Sequence, residues 1–125
     1  MMHLLVVDDH SDIRLIYSRI LRDAGYEVHA ARDGSEAMED VEKSPPALIL
    51  LDVFMPIMNG VEFLEYLRQR SAHSDIPVVL MSAVPDNPEV TYARELGVSK
   101  FLRKGDFDLG TLVATVKETL EKQPN

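Results

Sequence analysis

The sequence predicts an α/β fold, a doubly wound open parallel sheet of five strands with helices on both faces, and three observations predict it. Five short apolar runs recur along the 125 residues, each followed by a segment with helical periodicity. The first, third and fourth runs are continuous Val/Ile/Leu stretches rather than alternating ones, the pattern of strands buried on both faces of a parallel sheet. A chain of this length, 46% hydrophobic and 27% charged, has the size of one domain and can hide about two thirds of its unfolded surface in a single core.

Each element follows in order. The first strand, Leu4 to Val7, leads into a helix in which Ile13, Ile16, Tyr17, Ile20, Leu21 and Ala24 fall on one face, and Gly25 is placed to end that helix in a left-handed conformation. The second strand is Tyr26 to Ala30, and Ala37, Met38 and Val41 mark the helix after it. The third, Ala47 to Leu51, precedes a helix carrying Val61, Leu64 and Leu67. After the fourth strand, Val78 to Met81, only Val90, Ala93 and Leu96 are apolar at helical spacing between Pro85 and Gly97, so the fourth helix should bury little and pack loosely. The fifth strand, Phe101 to Leu102, precedes a helix with Leu109, Leu112, Val113, Val116 and Leu120. Lys122 to Asn125 reads as a frayed tail, and no linker or low-complexity stretch divides the chain, so residues 1–125 are expected to be one domain without an output domain. Right-handed crossovers leave chiefly the doubly wound topology, in which ligands bind at the carboxyl ends of the strands.

Composition excludes several functions. Thirteen Lys+Arg against 21 Asp+Glu give a net charge of -8, the wrong sign for direct nucleic-acid binding or for an anionic membrane surface. The absence of cysteine removes disulfides and thiolate metal sites. Apolar runs as short as Ala47 to Leu51 cannot span a bilayer, and MMHLLVVDD lacks the basic region and cleavage pattern of a signal peptide, so a cytoplasmic protein is expected.

The chemistry gathers at strand ends. The first strand runs into Asp8 and Asp9 and the third into Asp52. Parallel strands open on the same edge, so if these two are neighbours, three carboxylates converge on one crevice. Like charges that close together raise their own pKa values or take up a cation, and a hard, oxygen-seeking ion such as Mg²⁺ suits them. Any one of these residues alone is an ordinary solvated strand end or helix cap. Ser82 and Lys104 close the fourth and fifth strands at the same edge, where a hydroxyl and an ammonium can bind phosphoryl oxygens. His10 adjoins the acidic pair, but His3, His29 and His73 are scattered with no ligand spacing, so His10 reads as a solvated loop residue. Neither G-x-x-x-x-G-K-[ST] nor G-x-G-x-x-G occurs, which leaves a nucleotide enzyme without support.

With these residues in view, the sequence resembles the receiver domain of two-component response regulators, of the single-domain kind found in chemotaxis. The resemblance rests on VVDD at 6 to 9, LLDVFMPIMNG at 50 to 60, LMSA at 80 to 83 and FLRK at 101 to 104. It implies a flavodoxin-like sheet with strand order 2-1-3-4-5. It further implies that Asp52 accepts a phosphoryl group from a sensor histidine kinase or histidine phosphotransfer protein. Asp9, Asp52 and the backbone carbonyl of Phe54 are then Mg²⁺ ligands, with Asp8 holding a metal-bound water. Lys104 binds a phosphoryl oxygen, Ser82 moves to bind another, and Phe101 turns into the space that Ser82 leaves. Such a protein is a switch and not an enzyme, catalysing only its own phosphorylation and slow dephosphorylation. It signals by docking a downstream protein on the face of the fourth helix, fifth strand and fifth helix.

The chain departs from the family after Lys104. Most members have a cis proline next and then an aromatic residue; here the run is Lys104-Gly105-Asp106-Phe107. A cis bond before a residue other than proline costs about 2.5–4 kcal/mol, so a trans bond and a different aim for Lys104 are the alternative this loop opens. Two other functions compete with the switch. A Mg²⁺-dependent phosphatase or phosphotransferase with an aspartate nucleophile commonly carries a second Asp two residues on, where this chain has Phe54. A receiver that is never phosphorylated and acts only as an interaction module has no need of Asp8, Asp9, Asp52, Ser82 and Lys104 together.

Overall fold

A computed structural model describes residues 2–70 and 72–122. Five strands, β1 (His3–Val7), β2 (Glu27–Ala31), β3 (Leu48–Asp52), β4 (Val78–Ser82) and β5 (Lys100–Arg103), alternate with five helices, α1 (Ser11–Asp23), α2 (Gly34–Lys43), α3 (Gly60–Gln69), α4 (Pro88–Glu95) and α5 (Leu109–Glu121). All strand pairs are parallel, in the order β2-β1-β3-β4-β5. The strands expected from continuous apolar runs are the three central ones, and every residue of β1, β3 and β4 is buried. The edge strands β2 and β5 are half-exposed.

Alternation along the strands divides the core in two. Leu5, Val7, Ile49, Leu51, Val78 and Leu80 face α2, α3 and α4, whereas Leu4, Val6, Leu48, Leu50, Val79 and Met81 face α1 and α5. One sheet is thus covered on both sides, as the doubly wound pattern requires. α4 has only eight residues, yet both Val90 and Ala93 are fully buried, so its short apolar stripe is well seated.

Local chemistry sets the helix ends. Asp33, Asn59, Asn87 and Asp108 cap α2 to α5 by accepting hydrogen bonds from backbone N–H groups of the first turn, and Asn59 forms a capping box with Glu62. Gly25 closes α1 at φ 102°, the left-handed position expected of it. Residues 123–125 of the expected tail lie outside the described residues.

The reading of the histidines needs correction. His3 and His29 are stacked with ring centroids 3.8 Å apart, because β1 and β2 pair in parallel and bring together residues remote in sequence. Spacing along the chain carries no record of that pairing.

Candidate functional site

The crevice forms where β1 and β3, hydrogen-bonded neighbours, both end in acid. Asp8 leaves β1 fully buried, its N–H donating to the Ala31 carbonyl at 3.1 Å, and Asp52 ends β3 at 4% exposure. The loop after Asp52 returns so tightly that a Cβ on Gly60 would lie 2.4 Å from the Asp52 carbonyl oxygen. Gly60 also donates its N–H to the Val53 carbonyl at 2.8 Å. The glycine eight residues after Asp52 is therefore a requirement of close backbone approach.

Lys104 enters from the end of β5. Its own N–H donates to the Ser82 carbonyl at 2.9 Å, which ties its backbone to the end of β4. The ammonium reaches Asp8 Oδ2 at 2.6 Å and Asp52 Oδ1 at 3.3 Å. No cis peptide bond occurs among the described residues; Gly105 takes φ 89°, and the chain turns there with Lys104 still aimed into the crevice. Burial alone would lower the Lys104 ammonium, but the hydrogen bond to Asp8 and the charges of Asp52 and Asp8 outweigh it and hold the pKa above its ordinary value. Burial raises the Asp52 carboxyl to about 6, Lys104 opposes the rise, and Asp8 and Asp9 add to it.

Asp8, Asp9, His10 and Asp52 each place a ligand-type atom within 4.8 Å of the others. Asp9 Oδ1 is buried and accepts no hydrogen bond, and His10 Nδ1 lies 3.2 Å from it. A buried carboxylate oxygen that accepts no hydrogen bond, set among further carboxylates, is what a hard cation satisfies, so the residues fit Mg²⁺. Four of the expected site residues, Asp8, Asp9, Asp52 and Lys104, are thus brought together. Ser82 is fully buried at the same edge, and its Oγ accepts the Val84 N–H at 3.1 Å within its own loop. Phe54 lies two residues after Asp52 on the loop and is 38% exposed. Phe101 is half-buried on β5, its ring 5.0 Å from the Arg94 guanidinium, and lines a cleft of about 450 Å³ with Thr91, Arg94 and Val98.

Three further side chains bear on the crevice: His10, which the sequence reading weighs as a ligand and sets aside as a solvated loop residue, Arg14, which it passes over, and Tyr17, which it places in the core, where the structure has it. His10 is exposed, yet its ring Nδ1 and its backbone N–H both engage Asp8 Oδ1, at 3.0 Å and 2.9 Å. The hydrogen bond to Asp8, then the charges of Asp9 and Asp8, raise its pKa. Arg14 donates from Nη1 to the Asp8 carbonyl at 2.8 Å. Tyr17, called a core residue from its periodicity, has its phenol raised by burial and feels the charges of Lys104, Asp8 and Asp52. Adjacency to the acidic pair was a usable signal for His10; a lone Arg on a helix face offers none.

The family model of the response regulator receiver domain matches residues 4–117. The chain belongs to that family. This receiver domain is 38% identical over 119 residues to the transcriptional regulatory protein PrrA of Mycobacterium tuberculosis, covering 95% of the chain and 50% of that protein. It is 33% identical over 119 residues to the DNA-binding response regulator MtrA of Mycobacterium leprae, covering 95% of the chain and 51% of the relative. The receiver domain thus spans about half the length of the curated relatives it matches. Among solved structures, the chemotaxis response regulator CheY4 of Vibrio cholerae superposes with a TM-score of 0.84 at 35% identity, over 95% of this chain and 98% of that one. Receiver domains are phosphorylation-activated signalling switches rather than metabolic enzymes, and they typically bind Mg²⁺ in the acidic pocket.

Proposed function

We propose that this receiver domain takes a phosphoryl group onto Asp52 from a phosphohistidine of a sensor histidine kinase or phosphotransfer protein, and signals by docking a downstream protein. The observation that carries the reading is the convergence of Asp8, Asp9, Asp52 and Lys104 on one crevice, with Lys104 in contact with both Asp8 and Asp52. The Asp52 carboxylate attacks phosphorus, a P–O bond forms, the P–N bond breaks, and the imidazole leaves with its electron pair and takes up a proton. A carboxyl with a pKa of about 6 is mostly ionised at neutral pH and therefore able to attack.

Asp9, Asp52 and the Phe54 carbonyl would hold Mg²⁺, with Asp8 engaging it through water, and the ion would supply positive charge against the phosphoryl oxygens. Lys104 exchanges one carboxylate contact for a phosphoryl oxygen. Ser82 gives up the Val84 N–H and donates its hydroxyl to another, and Phe101 turns toward the space it leaves. The buried position of Ser82 and the half-buried ring of Phe101 support a two-state movement biased by those new bonds.

The docking surface is the face of α4, β5 and α5, where Phe101 and its cleft lie. A net charge of -8 supports a protein partner over nucleic acid, in a cytoplasmic setting. Turnover on external phosphate esters is disfavoured because Phe54 offers no acid or base where such an enzyme needs one. The test is incubation with a small acyl or amido phosphate and Mg²⁺, read by intact mass. A stable single adduct, absent from Asp52→Asn, is the expected result. Continuous release of phosphate would indicate an enzyme, and no adduct would indicate an interaction module.

A further inference from the structure

At the opposite end of β1 from the acidic crevice lies a second cluster of ligand-type side chains. His3 opens β1, and the parallel register pairs it with Glu27 and pairs Leu5 with His29. Side chains alternate along a strand, so His3, Glu27 and His29 all project on the sheet face that also carries Leu5, Val7 and Ala31, the face covered by α2. Asp40 of α2 closes over them. Its Oδ2 is 3.1 Å from His3 Nε2 and its Oδ1 is 2.7 Å from His29 Nδ1. One ligand-type atom from each of His3, His29 and Asp40 lies within 4.8 Å of the others.

We propose that His3, His29 and Asp40 form a binding site for a zinc-class divalent cation. Two imidazole nitrogens and one carboxylate suit such an ion, whereas Mg²⁺ and Ca²⁺ call for oxygen ligands throughout. His3 is 2% exposed in a strand otherwise made of Leu and Val, a position where an apolar side chain needs no partner and a histidine does. The two rings stack 3.8 Å apart, and an imidazole binds a cation through a ring nitrogen lone pair.

Glu27 stands on the side of His29 from which a carboxylate supports a metal-bound imidazole. Its Oε1 is 3.7 Å from His29 Nε2. When Nδ1 of His29 gives its lone pair to the cation, the ring hydrogen resides on Nε2, and the exposed Glu27 carboxylate has only to approach from 3.7 Å to accept it. Asp40 and Glu27 bring two carboxylates to this corner, and half-exposed His29 and Asp40 keep it open to solvent. Ligand atoms around a tetrahedral zinc ion are about 3.4 Å apart, so the Asp40 contacts at 3.1 and 2.7 Å open slightly and the two stacked rings turn toward a common point as the ion displaces the ring hydrogens that face Asp40. A bound ion cross-links β1, β2 and α2.

The experiment uses the untagged full chain, with excess Mg²⁺ to fill the acidic crevice. Zn²⁺ is titrated by calorimetry and Co²⁺ by visible absorption, in which tetrahedral ligation gives intense bands. The expected result is one saturable equivalent, retained by Asp9→Ala and lost from both Asp40→Asn and His29→Gln, with about 10- to 100-fold weaker binding by Glu27→Gln. His29, Glu27 and Asp40 are solvent-accessible enough to be replaced without emptying the core, and circular dichroism checks that each variant folds. No saturable uptake, uptake unchanged in Asp40→Asn and His29→Gln, or loss in Asp9→Ala would overturn the assignment.

Discussion

The Lys104 ammonium lies closer to Asp8 (2.6 Å) than to Asp52 (3.3 Å). Its nearest partner is therefore the fully buried carboxylate and not the one proposed to react. The lysine neutralises Asp8 and leaves Asp52 only partly compensated, which is why burial still raises Asp52. In the proposed reaction, an ammonium shared in this way would exchange one carboxylate for a phosphoryl oxygen on Asp52, leaving Asp8 to face the cation.

The raised Asp52 pKa has a stability consequence. Between about pH 4 and pH 6 the folded chain holds a proton that the unfolded chain has released, so stability falls as pH rises through that window and stays reduced above it. The interval from 3.8 to about 6 corresponds to at most about 3 kcal/mol. Asp52→Asn should melt above the wild type at pH 8, and the difference should vanish below pH 4. Equal melting temperatures across the range would refute the strained carboxylate.

Cation uptake should relieve the same repulsion. Millimolar Mg²⁺ is expected to raise the melting temperature of the wild type but not of Asp9→Ala, since a ligand at 100 times its dissociation constant adds about 2.7 kcal/mol. His10→Ala should retain the rise, because the imidazole pairs with the carboxylates from the solvent side and is not counted among the ligands. Loss of the rise in His10→Ala would make it one.

In the proposed switch Ser82 reports the phosphoryl group on Asp52 and does not receive it. Ser82→Ala should be labelled as fully as the wild type by a small phosphodonor, while the phosphorylation-dependent change in Phe101 ring resonances shrinks or disappears. An undiminished Phe101 response, followed by NMR, would remove Ser82 from the switch.

The lifetime of the adduct depends on a water held in line behind phosphorus. Phe54 and Val84, each two residues beyond Asp52 and Ser82, are apolar and 38% and 49% exposed, so neither can orient that water. A slowly decaying phosphoprotein is expected, and Phe54→Asn and Val84→Glu should each speed the decay. If neither does, the Gly105-Asp106 turn is the next element to vary.

Ile57, in the loop between β3 and α3, has φ 66° and is 83% exposed. A left-handed conformation costs an L-residue roughly 1–2 kcal/mol, and Asn tolerates it better. Ile57→Asn should therefore stabilise the fold by about 1 kcal/mol, seen as a melting temperature a few degrees higher. A lower melting temperature would mean that the isoleucine is held by contacts worth more than the strain.

Much of this protein was legible in its sequence because the signals are local or periodic. Unbroken apolar runs marked the three central strands, the heptad-like face of α1 and the position of Gly25 marked a helix and its end, and Asp8, Asp9, Asp52, Ser82 and Lys104 stood where strands stop. A parallel sheet gathers its strand ends on one edge, so those positions implied one site before any distance was known. What only the tertiary structure decided depends on contacts between elements remote in the chain. The preference of Lys104 for Asp8, the pairing of exposed His10 with two carboxylates and the approach of Gly60 to the Asp52 carbonyl are of this kind. So is the His3–His29–Asp40 cluster, which exists because β1 pairs with β2 in one register and α2 crosses above them. Strand pairing sets these distances, and no spacing along the sequence encodes them.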